Sequence, residues 1–282
     1  MGSVFNLLVE PFITYSFMRN ALLACLVTSV MSGPLGVILV LRRLSLIGDA
    51  LSHGILPGIA LGYMFFGLSL TAMSIGGVLV GILIAVLAGF YAKRTHLNED
   101  ATLSGFYLFS LALGVLLLST SQGNMKLAHL LFGNVLAITS QTLGMITTLS
   151  LITLIVFLFC YRTLMLSYFD PIFMQLAGVP VKAYNLIFLV LVVLNLVAAC
   201  QSLGTLMALG IMMLPAVTAN VLTRQLKYLF FFSSVIAFIA SYVGLIVSYR
   251  LDFPTGPTII VICGLFYISA LLYHSMYSQK RC

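Results

Sequence analysis

Charge is what this 282-residue chain has least of: Asp, Glu, Lys and Arg make up 7% of it, against about 25% in an ordinary soluble domain. Tryptophan is absent, and hydrophobic residues account for 62% of the positions. With a mean hydropathy of +1.18, a water-soluble globule is excluded. No GxxxxGKS or GxxxxGKT phosphate loop occurs, so the chain does not cradle ATP in the P-loop manner. There is no HExxH, no GxSxG and no carboxylate pair within one apolar run, which argues against an intramembrane hydrolase, and no enzyme activity is expected. Cys25, Cys160, Cys200 and Cys263 stand singly in apolar surroundings without a CxxC, so packing is their expected role. The net charge of +7 is not gathered into a basic run with interleaved aromatics, which removes nucleic acid as a partner. Nor does the N-terminus show a charged n-region followed by a small-residue cleavage site, so the first apolar segment is expected to remain.

What is present is a succession of membrane-length apolar runs. At about 20 residues per span, they predict an all-α polytopic bundle of nine helices over 19–41, 44–67, 70–92, 101–121, 141–162, 184–200, 203–222, 228–249 and 257–276. Eight spans remain open as an alternative, because 184–222 also reads as one broken span, and 127–140 reads as a short re-entrant piece. No soluble domain fits between the runs, so one transmembrane domain over 1–282 is expected, embedded in lipid. With the N-terminus outside, the inside loops and tail collect Arg42, Arg43, Lys93, Arg94, Arg162, Lys182, Arg224, Lys227, Lys280 and Arg281. Only Arg19, Lys126 and Arg250 fall outside, which is the asymmetry of the positive-inside rule.

The second run carries Asp49 and His53. A carboxylate inside a span costs roughly 2.5 to 3.5 kcal/mol on insertion scales, so it normally faces a bundle interior or an aqueous path. Residues four apart on a helix have Cβ atoms about 5 to 6 Å apart, so the two side chains can converge on one cation. A structural carboxylate and a satisfied core histidine are the bland readings of either residue alone; as a pair they favour a metal waypoint. Small residues surround them: Ala50, Gly54, Gly58 and Gly62 repeat every four positions, as do Gly77, Gly81, Ala85 and Gly89 in the next run, a pattern for close helix contact in lipid. Pro57 and Pro215 each remove a helix hydrogen bond and are expected to kink their spans.

The connection from Thr163 to Lys182 is the longest on the inner side. Asp170 suits an N-cap, Pro171 the first helical position and Gly178 the left-handed stop, with Pro180 preventing continuation. This predicts a two-turn helix over 170–178 outside the bilayer. Ile172, Phe173, Met174 and Leu176 make it too apolar to stand in water uncovered, so it docks either on a partner or on its own bundle. Asn98, Glu99 and Asp100 place negative charge at a helix start, and capping alone explains them.

Together these segments resemble one family, the integral-membrane permease subunits of bacterial ABC importers for zinc, manganese or iron, the ABC-3 family. The resemblance is carried by LRRLSLIGDALSHGILPGIALG at 41–62, NEDATLSGFYLFSLALGVLLLS at 98–119, HLLFGN at 129–134, FDPIFMQLAGVPV at 169–181, LGTLMALGIMMLPAVTANVLT at 203–223 and FPTGPTIIVI at 253–262. It implies a type II importer-like fold in the bacterial cytoplasmic membrane, a second permease subunit forming a homodimer or pseudo-symmetric dimer, cytoplasmic ATPase subunits and an extracytoplasmic metal-binding protein. It implies Asp49 and His53 as pore ligands, and a coupling helix at roughly Pro171–Ala177 through Phe173 and Leu176. The transported Mn2+, Zn2+ or Fe2+ would be cargo, with no permanent cofactor. His129 has two readings, an accessory point of metal entry or a cap on the bundle. The alternative function is a proton- or sodium-coupled secondary transporter or channel for divalent cations, with Asp49 and His53 as a proton relay. The extramembrane helix at 170–178 speaks against it, because such a transporter has no evident use for one.

Overall fold

The computed structural model describes residues 9–67, 69–94, 99–120 and 138–278, and among these every regular element is helical. The helices are α1 (Ser16–Leu41), α2 (Ser45–Gly54), α3 (Leu56–Phe66), α4 (Leu70–Arg94), α5 (Glu99–Thr120), α6 (Ser140–Phe169), α7 (Pro171–Leu176), α8 (Val181–Leu203), α9 (Thr205–Leu222), α10 (Leu226–Leu251) and α11 (Thr255–Ser278). Among the described residues seven, namely α1, α4, α6, α8, α9, α10 and α11, have the length and apolarity to cross a membrane. The other two of the nine anticipated runs are helical but differ in form. The run at 44–67 is interrupted at Ile55, and the run at 101–121 is covered by α5, whose 22 residues include the apolar stretch Ser104–Leu117. The 184–222 stretch is two helices, separated by Gly204 at φ +83°, a conformation open to glycine and strained for other residues. The anticipated loop after 162 begins later, because α6 continues without a stop signal to Phe169.

The chain divides into two compact units, one made of residues 1–41, 128–147 and 199–282 and the other of 42–127 and 148–198. In the first, α1 packs on α9 and α10, and α11 packs on both of those. Two glycines flank the internal Pro34 and let α1 come close: a methyl added at Gly36 would fall on the Met212 carbonyl, and one at Gly33 would lie 2.7 Å from the Ser234 backbone nitrogen. Ser233 then donates its hydroxyl to the Gly33 carbonyl at 3.2 Å. Pro215 lies inside α9, as the sequence indicates.

In the second unit α2 packs on α5, and α3 on α4 and α5. The small-residue stripe of α2 and α3 seats against α4, where its register is set by Gly76, a residue outside the Gly77, Gly81, Ala85 and Gly89 repeat. A Cβ at Gly58 would collide with the Gly76 carbonyl, and a Cβ at Gly62 would lie 2.7 Å from the Ala72 carbonyl oxygen. Gly77 and Gly81 face a mixed surface, against Ile59 and Val197, and Ile55 and Val193, respectively. Gly89 meets nothing within 4 Å. One glycine row on α4 therefore serves two neighbours, α3 and α8, and ends before Gly89.

Candidate functional site

The turn into α2 is tight. Arg43 adopts φ +58°, and Leu44 accepts from the Ile47 backbone N–H at 3.0 Å, opening the helix without a side-chain cap. Asp49 and His53 then fall one turn apart, with Oδ1 of Asp49 3.6 Å from Nε2 of His53. This separation exceeds the 2.7 to 3.2 Å of an N–H···O hydrogen bond. It is within the reach of an ion pair, and two donors so spaced could also share one cation: with bonds of about 2.1 Å to each, they would subtend roughly 120°. The Asp49 side chain is 53% exposed and that of His53 23%. His53 Nδ1 is buried with no hydrogen-bond partner, and its ring lies 6.2 Å from that of Tyr107. Nε2 is thus the nitrogen turned to Asp49.

Immediately beyond His53 the helix breaks at Ile55. Pro57 has no N–H to offer the His53 carbonyl four residues back, so the ordinary bond at that point is missing. The chain still holds together around the gap, because Ile55 N–H reaches the Leu51 carbonyl at 3.2 Å and Ile59 N–H reaches that of Ile55 at 3.2 Å. Helix α5 supports the break from the side. Ser110 donates its hydroxyl to the Gly54 carbonyl at 2.7 Å, and an added Cβ at Gly114 would lie 2.9 Å from the Pro57 nitrogen. Tyr107, Ser110 and Gly114 therefore face His53, Gly54 and Pro57 along one side of α5. Among the described residues no three His, Cys, Asp or Glu side chains stand together, so Asp49 and His53 are two donors and not a full coordination set.

Comparison with known proteins identifies the family. The model of the ABC 3 transport family matches residues 14–274. The chain belongs to that family. It is 33% identical over 274 residues to the chelated iron transport system membrane protein YfeD of Yersinia pestis, covering 97% of this chain and 91% of that one. It is 32% identical over 254 residues to the manganese import system permease protein ScaB of Streptococcus parasanguinis, covering 90% and 89%. A solved structure titled PsaBC from Streptococcus pneumoniae in complex with Fab superposes with a TM-score of 0.83 at 29% identity, covering 93% of this chain and 94% of that one. The inward-facing structure of a putative metal-chelate type ABC transporter, at 18% identity and a TM-score of 0.71, shares the fold.

This ABC 3 family member is a multi-pass membrane permease, whose role is transport and not catalysis. Its second feature is α7. Asp170 Oδ1 accepts from the Phe173 backbone N–H at 2.8 Å, and Pro171 occupies the first turn. At the other end Gly178, at φ +74°, donates to the Gln175 carbonyl at 3.1 Å, while Val179 N–H reaches back to the Met174 carbonyl at 3.0 Å. Those two bonds form a Schellman stop, so every terminal signal read from the sequence is used. Of its apolar residues only Met174 is buried, while Ile172, Phe173 and Leu176 are 70%, 55% and 84% exposed.

His129 and the 127–140 segment up to residue 137 lie outside the described residues. Sequence reasoning missed Tyr107, Ser110, Gly114 and Gly76. The available signal was a polar and a small residue, Ser110 and Gly114, four apart within an otherwise apolar helix.

Proposed function

We propose that this permease carries a divalent transition metal, Mn2+, Fe2+ or Zn2+, into the cell, with Asp49 and His53 of each of two copies forming the point through which the ion passes. The observation that carries this reading is the 3.6 Å gap between Oδ1 and Nε2, too wide for a hydrogen bond and suited to a shared ion. The names of its relatives, manganese import and chelated iron transport, point to the same cargo class. A mixed oxygen and nitrogen set suits these borderline ions better than Ca2+ or Cu+. Transient holding requires ligands strong enough to replace part of the hydration shell and few enough to release it.

The exposed face of α7 docks a cytoplasmic ATPase, since the chain has no phosphate loop of its own and three apolar side chains there need cover. An extracytoplasmic binding protein delivers the metal, and the protein sits in the bacterial cytoplasmic membrane with its N-terminus outside. Both units belong to one permease domain, because the chain passes between them after residues 41, 127, 147 and 198. Radiometal uptake by Asp49→Ala and His53→Ala, measured beside the yield of assembled complex, tests the site. Each variant should assemble normally and lose uptake. Wild-type uptake in either would remove the pair from the path.

A further inference from the structure

Arg42 stands at the head of the segment that carries the site, seven residues before Asp49, and its guanidinium is engaged on three sides. Nη1 donates to Asn185 Oδ1 at 2.8 Å, while Nη2 donates to Ser167 Oγ at 2.9 Å and to the Leu164 carbonyl at 3.2 Å. The same Leu164 carbonyl accepts the Ser167 hydroxyl at 2.8 Å, closing a small ring of bonds. The guanidinium also lies over the Phe188 ring, with Cζ 4.8 Å from the ring centre. Leu164 and Ser167 belong to the last two turns of α6, and Asn185 and Phe188 to the first two turns of α8. Those two ends are the supports between which α7 is strung. Arg42 therefore joins both supports of α7 to the turn that begins α2.

The turn itself is suited to transmit motion. Arg43, next in the chain, holds φ +58°, a left-handed conformation that is strained for a non-glycine residue. Such a residue stays put only while its surroundings hold it. A planar fork with five donors can grip two helices at once, which a lysine ammonium cannot do in the same geometry.

We propose that Arg42 is the positioning residue through which displacement of α7 reaches the Asp49 and His53 helix. It touches neither metal nor ATPase. It sets where α2 begins, and with it where the two ligands stand. This rests on the reading of α7 as the ATPase dock and of Asp49 and His53 as ligands, and it adds the connection between them.

The test uses the assembled permease and ATPase complex in proteoliposomes, with Mn2+ as the probe, and reads metal transported per ATP hydrolysed. Arg42→Ala should leave ATP hydrolysis close to wild type and lower that ratio by about tenfold. A double variant, Ser167→Ala with Asn185→Ala, removes two of the partners without touching the arginine, and should lower the ratio in the same direction. A merely structural role would reduce assembly and hydrolysis together and leave the ratio alone. An unchanged ratio in either assembled variant overturns the proposal. Should Arg42→Ala not assemble, the double variant decides by the same ratio. Failure of the underlying reading looks different: an ATPase that remains bound to Phe173→Ser with Leu176→Ser shows that α7 is not the dock, whatever Arg42 does.

Discussion

Adding one methyl group at different glycines of the second unit should produce a graded set of stabilities, because the space each Cβ enters differs. At Gly89 nothing lies within 4 Å, so Gly89→Ala should gain the usual advantage of alanine over glycine in a helix, about 0.5 to 1 kcal/mol. At Gly54 the nearest atom is Ile84 Cδ1 at 3.2 Å, the far end of a flexible side chain that can give way. Gain and cost there should nearly cancel. At Gly62 the new atom meets backbone, with the Ala72 oxygen at 2.7 Å and Met73 Cα at 2.8 Å. Ordinary contact needs about 0.7 Å more, so α3 must lift from α4. Overpacking of that kind costs about 1 to 3 kcal/mol, for a net loss of about 0 to 2.5 kcal/mol after the helix gain. Gly58 collides with the Gly76 carbonyl and has Val80 Cβ at 2.9 Å, so Gly58→Ala should lose the most. With about 2 to 4 °C per kcal/mol for a chain of this size, the series is measurable as the thermal midpoint of the purified permease in one detergent. Equal midpoints for Gly58→Ala and Gly89→Ala would refute the packing argument, and with it the claim that α3 is held against α4 by backbone contact.

Two further perturbations address the elements around the site. Asp170→Ala removes the cap of a six-residue helix, worth about 1 kcal/mol, and Gly178→Ala places a Cβ at φ +74°, costing a similar amount; the double variant should bind less ATPase in a purified pull-down, and unchanged stoichiometry would contradict the docking role of α7. Ser110→Ala leaves the Gly54 carbonyl without its hydroxyl donor, a loss of about 1 to 3 kcal/mol if that carbonyl stays dry. It should raise the KM for metal uptake more than it lowers the maximal rate, whereas Ser110→Thr, which keeps the hydroxyl, should do less; equal effects would remove the hydrogen bond from the explanation.

The all-helical membrane class was legible because long apolar runs with sparse charge admit few other structures. The α7 helix was legible in full, since Asp170, Pro171 and Gly178 act locally and their effect does not depend on distant partners. The interruption at Ile55 was visible only as a kink at Pro57, because hydropathy registers composition and not hydrogen bonds. The register of α3 on α4 is not legible in the sequence: Gly76 and Gly77 are equivalent in a composition pattern, and only the crossing of the two helices chooses between them. Arg42 was counted as a topology signal, which is true of its charge and silent about its partners, Asn185 and Ser167, more than 120 positions away.

The unequal burial of Asp49 and His53 bears on how many copies form the site. His53 is held by its own chain, with Nδ1 enclosed and Tyr107 beside the ring, and so its orientation is set before any metal arrives. Asp49 is not enclosed; its side chain is 53% exposed on a segment that is otherwise almost wholly apolar. A carboxylate left against lipid would carry the full desolvation cost, so the exposed face of Asp49 is expected to meet water or a polar partner. In the proposed pair, a second copy related by a two-fold axis would bring the same patch to meet itself, and with it a second carboxylate and a second imidazole. Two carboxylates facing each other repel unless a cation lies between them, and among the described residues each chain would bring two donors to such a cation. Under the proposed function the exposed side of Asp49 would form half of a site, with the repulsion between the two carboxylates relieved by the ion that passes.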